Sequence, residues 1–286
     1  EKEFSRDELI YIAQQLASTM RHVHDILHLA FMGICPENIF LNSHFTLKLG
    51  LFIHTAPFLQ ELAQISDPFI PWSPYSIFHI PATFSAPEVI SGGTITSRSD
   101  VYMYALLCIF IFTGQKPTTS ESVVKVDETT PFELLQSVPD EFASLLRNCL
   151  NHDPSSRPNF DQITSADTFS SIVSNIFQYI ENIRDKDLKD MYTFFVGLKN
   201  TINVFSDRII RKKFMPIFIF YLQKDMRFAN GLVPLFFKCF NKYKPQEFIA
   251  EVLRPIKSVL VQKDNPKISL MLLDYLGTLL NRLPAE

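Results

Sequence analysis

Phe31-Met32-Gly33-Ile34-Cys35-Pro36-Glu37-Asn38 decides the reading of this chain, and the segments on either side are best interpreted outward from it. Gly33, Pro36 and Asn38 mark a loop, and Pro-Glu-Asn is a turn in which an Asn amide commonly bonds the backbone. Downstream, Ile39-Phe40-Leu41 and Leu47-Lys48-Leu49 are short apolar runs broken by Asn42-Ser43-His44, which predicts two small strands joined by a turn. Upstream, Ser5-Arg6-Asp7-Glu8 reads as a capping box. Leu9, Ile12, Ala13, Leu16, Met20 and Val23 follow at helical spacing, so an amphipathic helix should run to about His24 and lead straight into the loop.

Residues 54–85 are rich in Pro, Ser and aromatics without steady periodicity and read as a long loop. Helices resume with Ala86 to Ile90 and with the apolar stretch from Ser99 to Thr113, which Gly114 and Pro117 close. A further helix, Pro139 to Asn151, carries Phe142, Leu145, Leu146, Cys149 and Leu150 on one face. After Pro158 the strand signals stop, and a hydrophobic-x-Pro-hydrophobic unit recurs at Phe214-Met215-Pro216-Ile217, Leu232-Val233-Pro234-Leu235 and Leu253-Arg254-Pro255-Ile256. The recurrence, every 18 to 21 residues, suits a stack of short helices with Pro in each first turn. Pairs of such helices give repeats of ~40 residues, the HEAT or armadillo range. A plain helical bundle with accidental prolines is the competing reading.

Length and composition fit this plan. The 286 residues suffice for two domains, and a 47% hydrophobic content supports a buried core in each. The four cysteines, at 35, 108, 149 and 239, have neither metal-site nor disulfide-framework spacing and should lie in cores in a reducing compartment. No signal peptide is visible at the N-terminus. The longest apolar run, Val101 to Phe112, falls short of the ~20 residues that cross a bilayer. Net charge is −3, but from Lys199 onward Lys and Arg outnumber Asp and Glu 15 to 7, while acids lead 23 to 12 before it. A basic module behind an acidic one suggests acidic partners for the tail.

The central loop has the frame of a protein-kinase catalytic loop, His-Arg-Asp followed four residues later by Asn. Gly33 stands where the aspartate accepts the substrate proton, and loss of that base alone forfeits about 10²–10⁴-fold in rate. In Lys48-Leu49-Gly50-Leu51-Phe52-Ile53, Leu51 replaces the magnesium-binding Asp and Ile53 the Gly of Asp-Phe-Gly. Asn38 is retained, and is read as an amide bonding the loop rather than a metal ligand. The glycine-rich loop and phosphate-binding Lys would lie before residue 1. The framework, by contrast, is intact: Ala86-Pro87-Glu88, Asp100 at the head of the apolar helix, and Arg157 before Pro158. In the kinase fold the equivalents of Glu88 and Arg157 form a buried ion pair and that of Asp100 bonds the catalytic-loop backbone.

Other candidates carry less. The histidines nearest in sequence, His22, His24 and His28, lie on an ordinary amphipathic helix with no third ligand in evidence, so no metal is expected. Ser85 has no base placed beside it by any motif. Arg208, Arg211, Lys212 and Lys213 open the repeat region as a candidate partner-binding patch, with a solvated helix face as the alternative. Lys238, Lys242 and Lys244 add charge nearby. Nucleic acid is not expected, since no recognised binding motif accompanies the charge.

Taken together, these motifs resemble the SCY-like (Scyl) pseudokinases, a kinase-shaped domain without catalytic acids followed by HEAT repeats. The resemblance covers Gly33 to Asn42, Lys48 to Phe52, Ala86 to Glu88 and Ser99 to Tyr102, continues through Phe194 to Leu198 and Arg208 to Ile217, and is strongest to the clathrin-coated-vesicle branch. It implies a mainly α chain: a kinase-like C-terminal lobe without its N-lobe over 1–165, a helical linker over 166–198, and HEAT-like repeats over 199–286. It also implies a cytoplasmic adaptor, peripheral to Golgi and endosomal membranes, that binds coat or adaptor proteins and needs no cofactor. Two other readings stand beside it. One is a diverged but active protein kinase, and the other a helical-repeat binder of acidic membranes or RNA through Arg211, Lys212 and Lys213.

Overall fold

Ser5 starts helix α1 (Arg6–Asp25) by accepting the Glu8 N–H at 3.3 Å, while Glu8 Oε2 accepts the Ser5 N–H at 2.7 Å. These bonds satisfy backbone donors that a helix start otherwise leaves open. The computed structural model describes residues 4–50, 52, 55–57, 82–91, 95–117, 129–260 and 266–280. Leu51, Ile53 and most of the 54–85 loop therefore lie outside the described residues.

The apolar face of α1, with Leu16, Ala17 and Met20 fully buried, packs on α3 (Ser97–Thr113). Strands β1 (Leu29–Ala30), β2 (Ile39–Leu41), β3 (Leu47–Leu49) and β4 (Ala56–Pro57) form two antiparallel pairs, β1 with β4 and β2 with β3. Ile39 lies opposite Leu49 and Leu41 opposite Leu47. Short α2 (Pro87–Ile90) precedes α3, which Thr96 caps and Gly114 ends in the left-handed conformation at φ 70°. Residues Val101 to Ile109 of α3 are all buried, so this helix has no solvent face and forms the centre of its unit. Around it lie α4 (Thr129–Leu134), α5 (Asp140–Cys149) and α6 (Phe160–Thr164), and the Tyr104 hydroxyl crosses from α3 to the Ala13 carbonyl at 3.2 Å.

The chain divides into two compact units, one of Glu1–Asn42 with Thr46–Ser174 and one of Ser43–Phe45 with Asn175–Glu286. The division falls inside α7 (Ile172–Glu181). Among the described residues of the second unit every regular element is a helix. It holds α8 (Leu188–Thr201), α9 (Asp207–Ile209), α10 (Met215–Lys224), α11 (Ala229–Lys238), α12 (Pro245–Phe248), α13 (Arg254–Leu260) and α14 (Pro266–Leu280). The helices expected as a linker supply its core, because Phe177 of α7 and Phe195 of α8 are buried. Phe195 stacks edge-on with Phe218 at 5.8 Å and Phe228 at 5.5 Å. α8 packs on α11 and α11 on α14, while α10 packs on α13.

Pro216 and Pro255 are the second residues of α10 and α13, in the first turn as the sequence pattern has them, but those helices do not begin afresh there, and Pro234 departs from the pattern. Pro234 lies inside α11, and Pro216 and Pro255 sit just beyond π-helical turns at Ile210–Phe214 and Ile249–Leu253, in otherwise continuous helices. A Pro ring clashes with the carbonyl four residues back and donates nothing to it, and widening the preceding turn relieves both problems without ending the helix. Pro216 leaves the Lys212 carbonyl without that partner, and His44 Nδ1 occupies it at 3.0 Å. Among the described residues no helix is long and apolar enough to cross a membrane.

Candidate functional site

Asp100, fully buried at the start of α3, organises the central loop. Its Oδ2 accepts the Phe31 N–H and its Oδ1 the Met32 N–H, both at 2.7 Å. His24, from the last turn of α1, places Nε2 2.9 Å from the same Oδ2 and turns its ring edge to Phe160. This clamp holds Met32 at φ 56°, a left-handed conformation that costs a residue with a side chain about 1–3 kcal/mol. The loop is therefore fixed by the protein around it rather than by its own preference.

Beyond Met32 the loop closes on Asn38. The buried Asn38 amide donates to the Gly33 carbonyl at 3.2 Å, and the Asn38 carbonyl accepts the Gly50 N–H at 2.7 Å. A Cβ at Gly33 would stand 2.6 Å from Asn38 Nδ2, and one at Gly50 2.6 Å from Asn38 Oδ1. The two glycines thus make room for one amide, which occupies the space next to position 33 that an acid there would enter. Phe52 packs edge-to-face on Phe31 at 5.0 Å, which ties the segment after Gly50 to the loop. Leu51, between them, lies outside the described residues.

Glu88 and Arg157 meet in a bidentate pair, Nη1 to Oε1 at 2.6 Å and Nη2 to Oε2 at 2.9 Å. The Arg157 side chain is fully buried, and its remaining N–H groups donate to the carbonyls of Asn151, Arg98 and His152. All five guanidinium donors are thereby used, with the Tyr102 ring 4.8 Å from its carbon. Partial burial pushes the Glu88 carboxyl up. Hydrogen bonds from Arg157, its own backbone and Ser99, together with the Arg157 charge, outweigh that and hold it below its ordinary value. The four cysteines are free and buried, and burial, then the Glu37 charge and hydrogen bond, push the Cys35 thiol up to about 12. A thiol so rarely ionised at neutral pH is no nucleophile.

The basic run does not present one face. Lys213 is buried and bonded to Glu181, and Arg211 pairs with Glu247 at 3.1 Å and Glu251 at 3.6 Å while lying over the Tyr243 ring. Arg208 is half-buried over the Phe45 ring, which leaves Lys212 as the exposed member. The widened turn over Ile210–Phe214 shifts the side-chain positions around the helix, a change that sequence spacing does not reveal. His24 was missed for a related reason. As one of several histidines on an amphipathic helix it gives no local signal, and its partner lies 76 residues away.

A central helix whose first-turn acid clamps a loop, with a buried Glu-Arg pair beside it, defines a protein-kinase-like lobe, and sequence comparison agrees. The family of protein tyrosine and serine/threonine kinases matches residues 1–166. The protein kinase-like protein SCY1 of Saccharomyces cerevisiae is 23% identical over 72% of this chain and 27% of its own length. SCY1-like protein 2 of Homo sapiens is 22% identical over 98% of this chain and 31% of its own length. A probable serine/threonine-protein kinase of Dictyostelium discoideum is 26% identical over 57% of this chain and 10% of its own. The chain belongs to the protein kinase family, in its SCY1-like, kinase-like group. It spans less than a third of the length of these relatives.

Proposed function

We propose that this chain is a catalytically silent kinase-like scaffold whose partners are coat or adaptor proteins of vesicle traffic on Golgi and endosomal membranes. One observation carries the first half. At the position of the proton-accepting acid stands Gly33, and the Asn38 amide fills the neighbouring space at 2.6 Å from where a Cβ would be. A glycine offers no group to take the substrate hydroxyl proton. The framework around it, Asp100 on the loop and Arg157 on Glu88, keeps the shape all the same.

Support for the second half comes from the resemblance and from the second unit. The alternating packing there, α8 with α11 with α14 in one row and α10 with α13 in another, supports a HEAT- or armadillo-type stack. Such a stack is a common protein-binding surface.

The test is transfer of phosphate from Mg-ATP to a generic acceptor by the chain and by Gly33→Asp. Neither should transfer, because the metal-binding position holds Leu51. Transfer by Gly33→Asp would overturn the silent reading. A second reading, an active Ser/Thr kinase, is favoured by the relatives that bear that description. It requires transfer by a longer form that carries the glycine-rich loop and phosphate-binding Lys, lost in Asn38→Ala.

A further inference from the structure

The strongest unassigned feature lies at one end of the second unit, where the last turn of α10 and the turn after it face the start of α8. A cleft of about 560 Å³ opens there. Its floor is apolar and buried, made by Met191, Tyr221 and Phe228. Its walls are apolar and open: Phe220 is 53% exposed and Leu188 47%. Exposed aromatic and aliphatic groups beside a concave apolar floor mark a place where a partner's side chain gains by leaving water.

The rim has a sign. Arg184, Lys186, Lys224 and Arg227 border the cleft and are all exposed. Asp225 is the single acid among the lining residues, and it is held by Arg227 through Nη2 to Oδ2 at 2.6 Å. Among the described residues no carboxylate lies within ion-pair distance of Arg184, Lys186 or Lys224. Lys186 instead leans over the Tyr179 ring at 5.6 Å and Lys224 over Phe220 at 5.9 Å. The four cations of the lining outnumber its one acid, Asp225, whose carboxyl Arg227 and Lys224 help to hold low, and a rim of that sign around an apolar floor complements a ligand that is acidic outside and apolar at one point. The excess of basic residues from Lys199 onward would steer such a ligand toward this unit.

We infer that this cleft binds an acidic peptide, seating one aromatic or aliphatic side chain between Phe220 and Leu188 and laying flanking carboxylates on Arg184, Lys186 and Lys224. A membrane would need a broad apolar face, whereas the open apolar groups of this lining are two, Phe220 and Leu188, beside a concave floor. A single nucleic-acid strand would need successive rings to stack on, and the lining offers one open ring, Phe220. The inference names a partner class for the scaffold reading and rests on that reading only for the partner being a protein.

The experiment uses the full chain, a fluorescein-labelled peptide of glutamates interrupted by one phenylalanine and one leucine, and fluorescence anisotropy. Binding should weaken with salt, and Lys186→Glu/Lys224→Glu should cost roughly tenfold in affinity, about what losing two partly screened charge contacts gives. Phe220→Ala should weaken it while leaving its salt dependence unchanged. A peptide with serines in place of the phenylalanine and leucine should bind no better than Phe220→Ala binds the parent. All substituted positions are exposed, and circular dichroism melts of the variants should overlay the parent.

Absence of peptide binding, or binding indifferent to these substitutions, overturns the proposal. So does a charge-dependent response confined to phosphatidylserine vesicles or to a single-stranded oligonucleotide. Phosphate transfer is read on the same preparations and on the longer form with the glycine-rich loop, so an empty cleft on a silent chain and an active kinase are separate results.

Discussion

At the residue scale, Glu88 and Arg157 show what removal of one partner does to a buried charge. The guanidinium has no exposed surface, and Glu88 is its only anionic partner among the described contacts. Glu88→Ala should therefore destabilise the first unit by about 3–5 kcal/mol, since a buried positive charge is left uncompensated. Urea unfolding of the two proteins measures it, and equal midpoints would show that the pair is not buried in solution. The pH dependence has a definite sign. Burial pushes the Glu88 carboxyl up, but the Arg157 contacts and hydrogen bonds from its own backbone and Ser99 hold its folded pKa below that of the unfolded chain, about 4.3. Its contribution is thus full above that value and lost as pH falls through the depressed folded one, so the gap between parent and Glu88→Ala should shrink in acid. Gly33 belongs to the same scale. Its lack of a side chain was plain in the sequence, while the reason it suits the fold, the Asn38 amide beside it, was not.

At the element scale, most of the first unit was legible because its helices carry their own boundaries. The capping box at Ser5 placed the start of α1 within a residue, and Gly114 placed the end of α3. The start of α3 was read two residues late because Thr96 and Ser99 form a capping box that the apolar run obscured. Thr96 Oγ1 accepts the Arg98 N–H at 3.1 Å, and Ser99 Oγ accepts the Thr96 N–H at 3.2 Å. Thr96→Ala should cost about 1 kcal/mol, the usual value of an N-cap, whereas Ser97→Ala, outside the box, should be near neutral. Equal melting temperatures for the two variants would remove the cap from the account of how α3 begins. The second unit was less legible for a physical reason. Sequence rules treat Pro as a helix start or stop, yet Pro216 and Pro255 follow π-helical turns that carry the helix past them. The extra residue in each turn also reassigns the side chains around it, which is how Lys213 comes to be buried against Glu181.

At the scale of the whole molecule, the chain has two cores, and its cysteines are distributed between them. Cys35, Cys108 and Cys149 are buried in the first unit and Cys239 in the second. Burial pushes the thiols of Cys149 and Cys239 up to about 12, so the folded chain should react slowly with a thiolate-specific reagent at neutral pH. Reaction then requires unfolding, and each thiol reports the unit that contains it. Because each unit buries its own aromatic cluster, labelling of Cys239 and of Cys108 in rising urea should show separate midpoints, resolved by mass spectrometry of the labelled peptides. Phe195→Ala provides the directional test. Phe195 is fully buried against Phe218 and Phe228, and truncating it should lower the stability of the second unit by about 3–5 kcal/mol. The Cys239 midpoint should fall while that of Cys108 stays in place. Coincident movement of both midpoints would mean that the two cores unfold as one cooperative body, and the kinase-like lobe could then no longer be treated as a domain with a stability of its own.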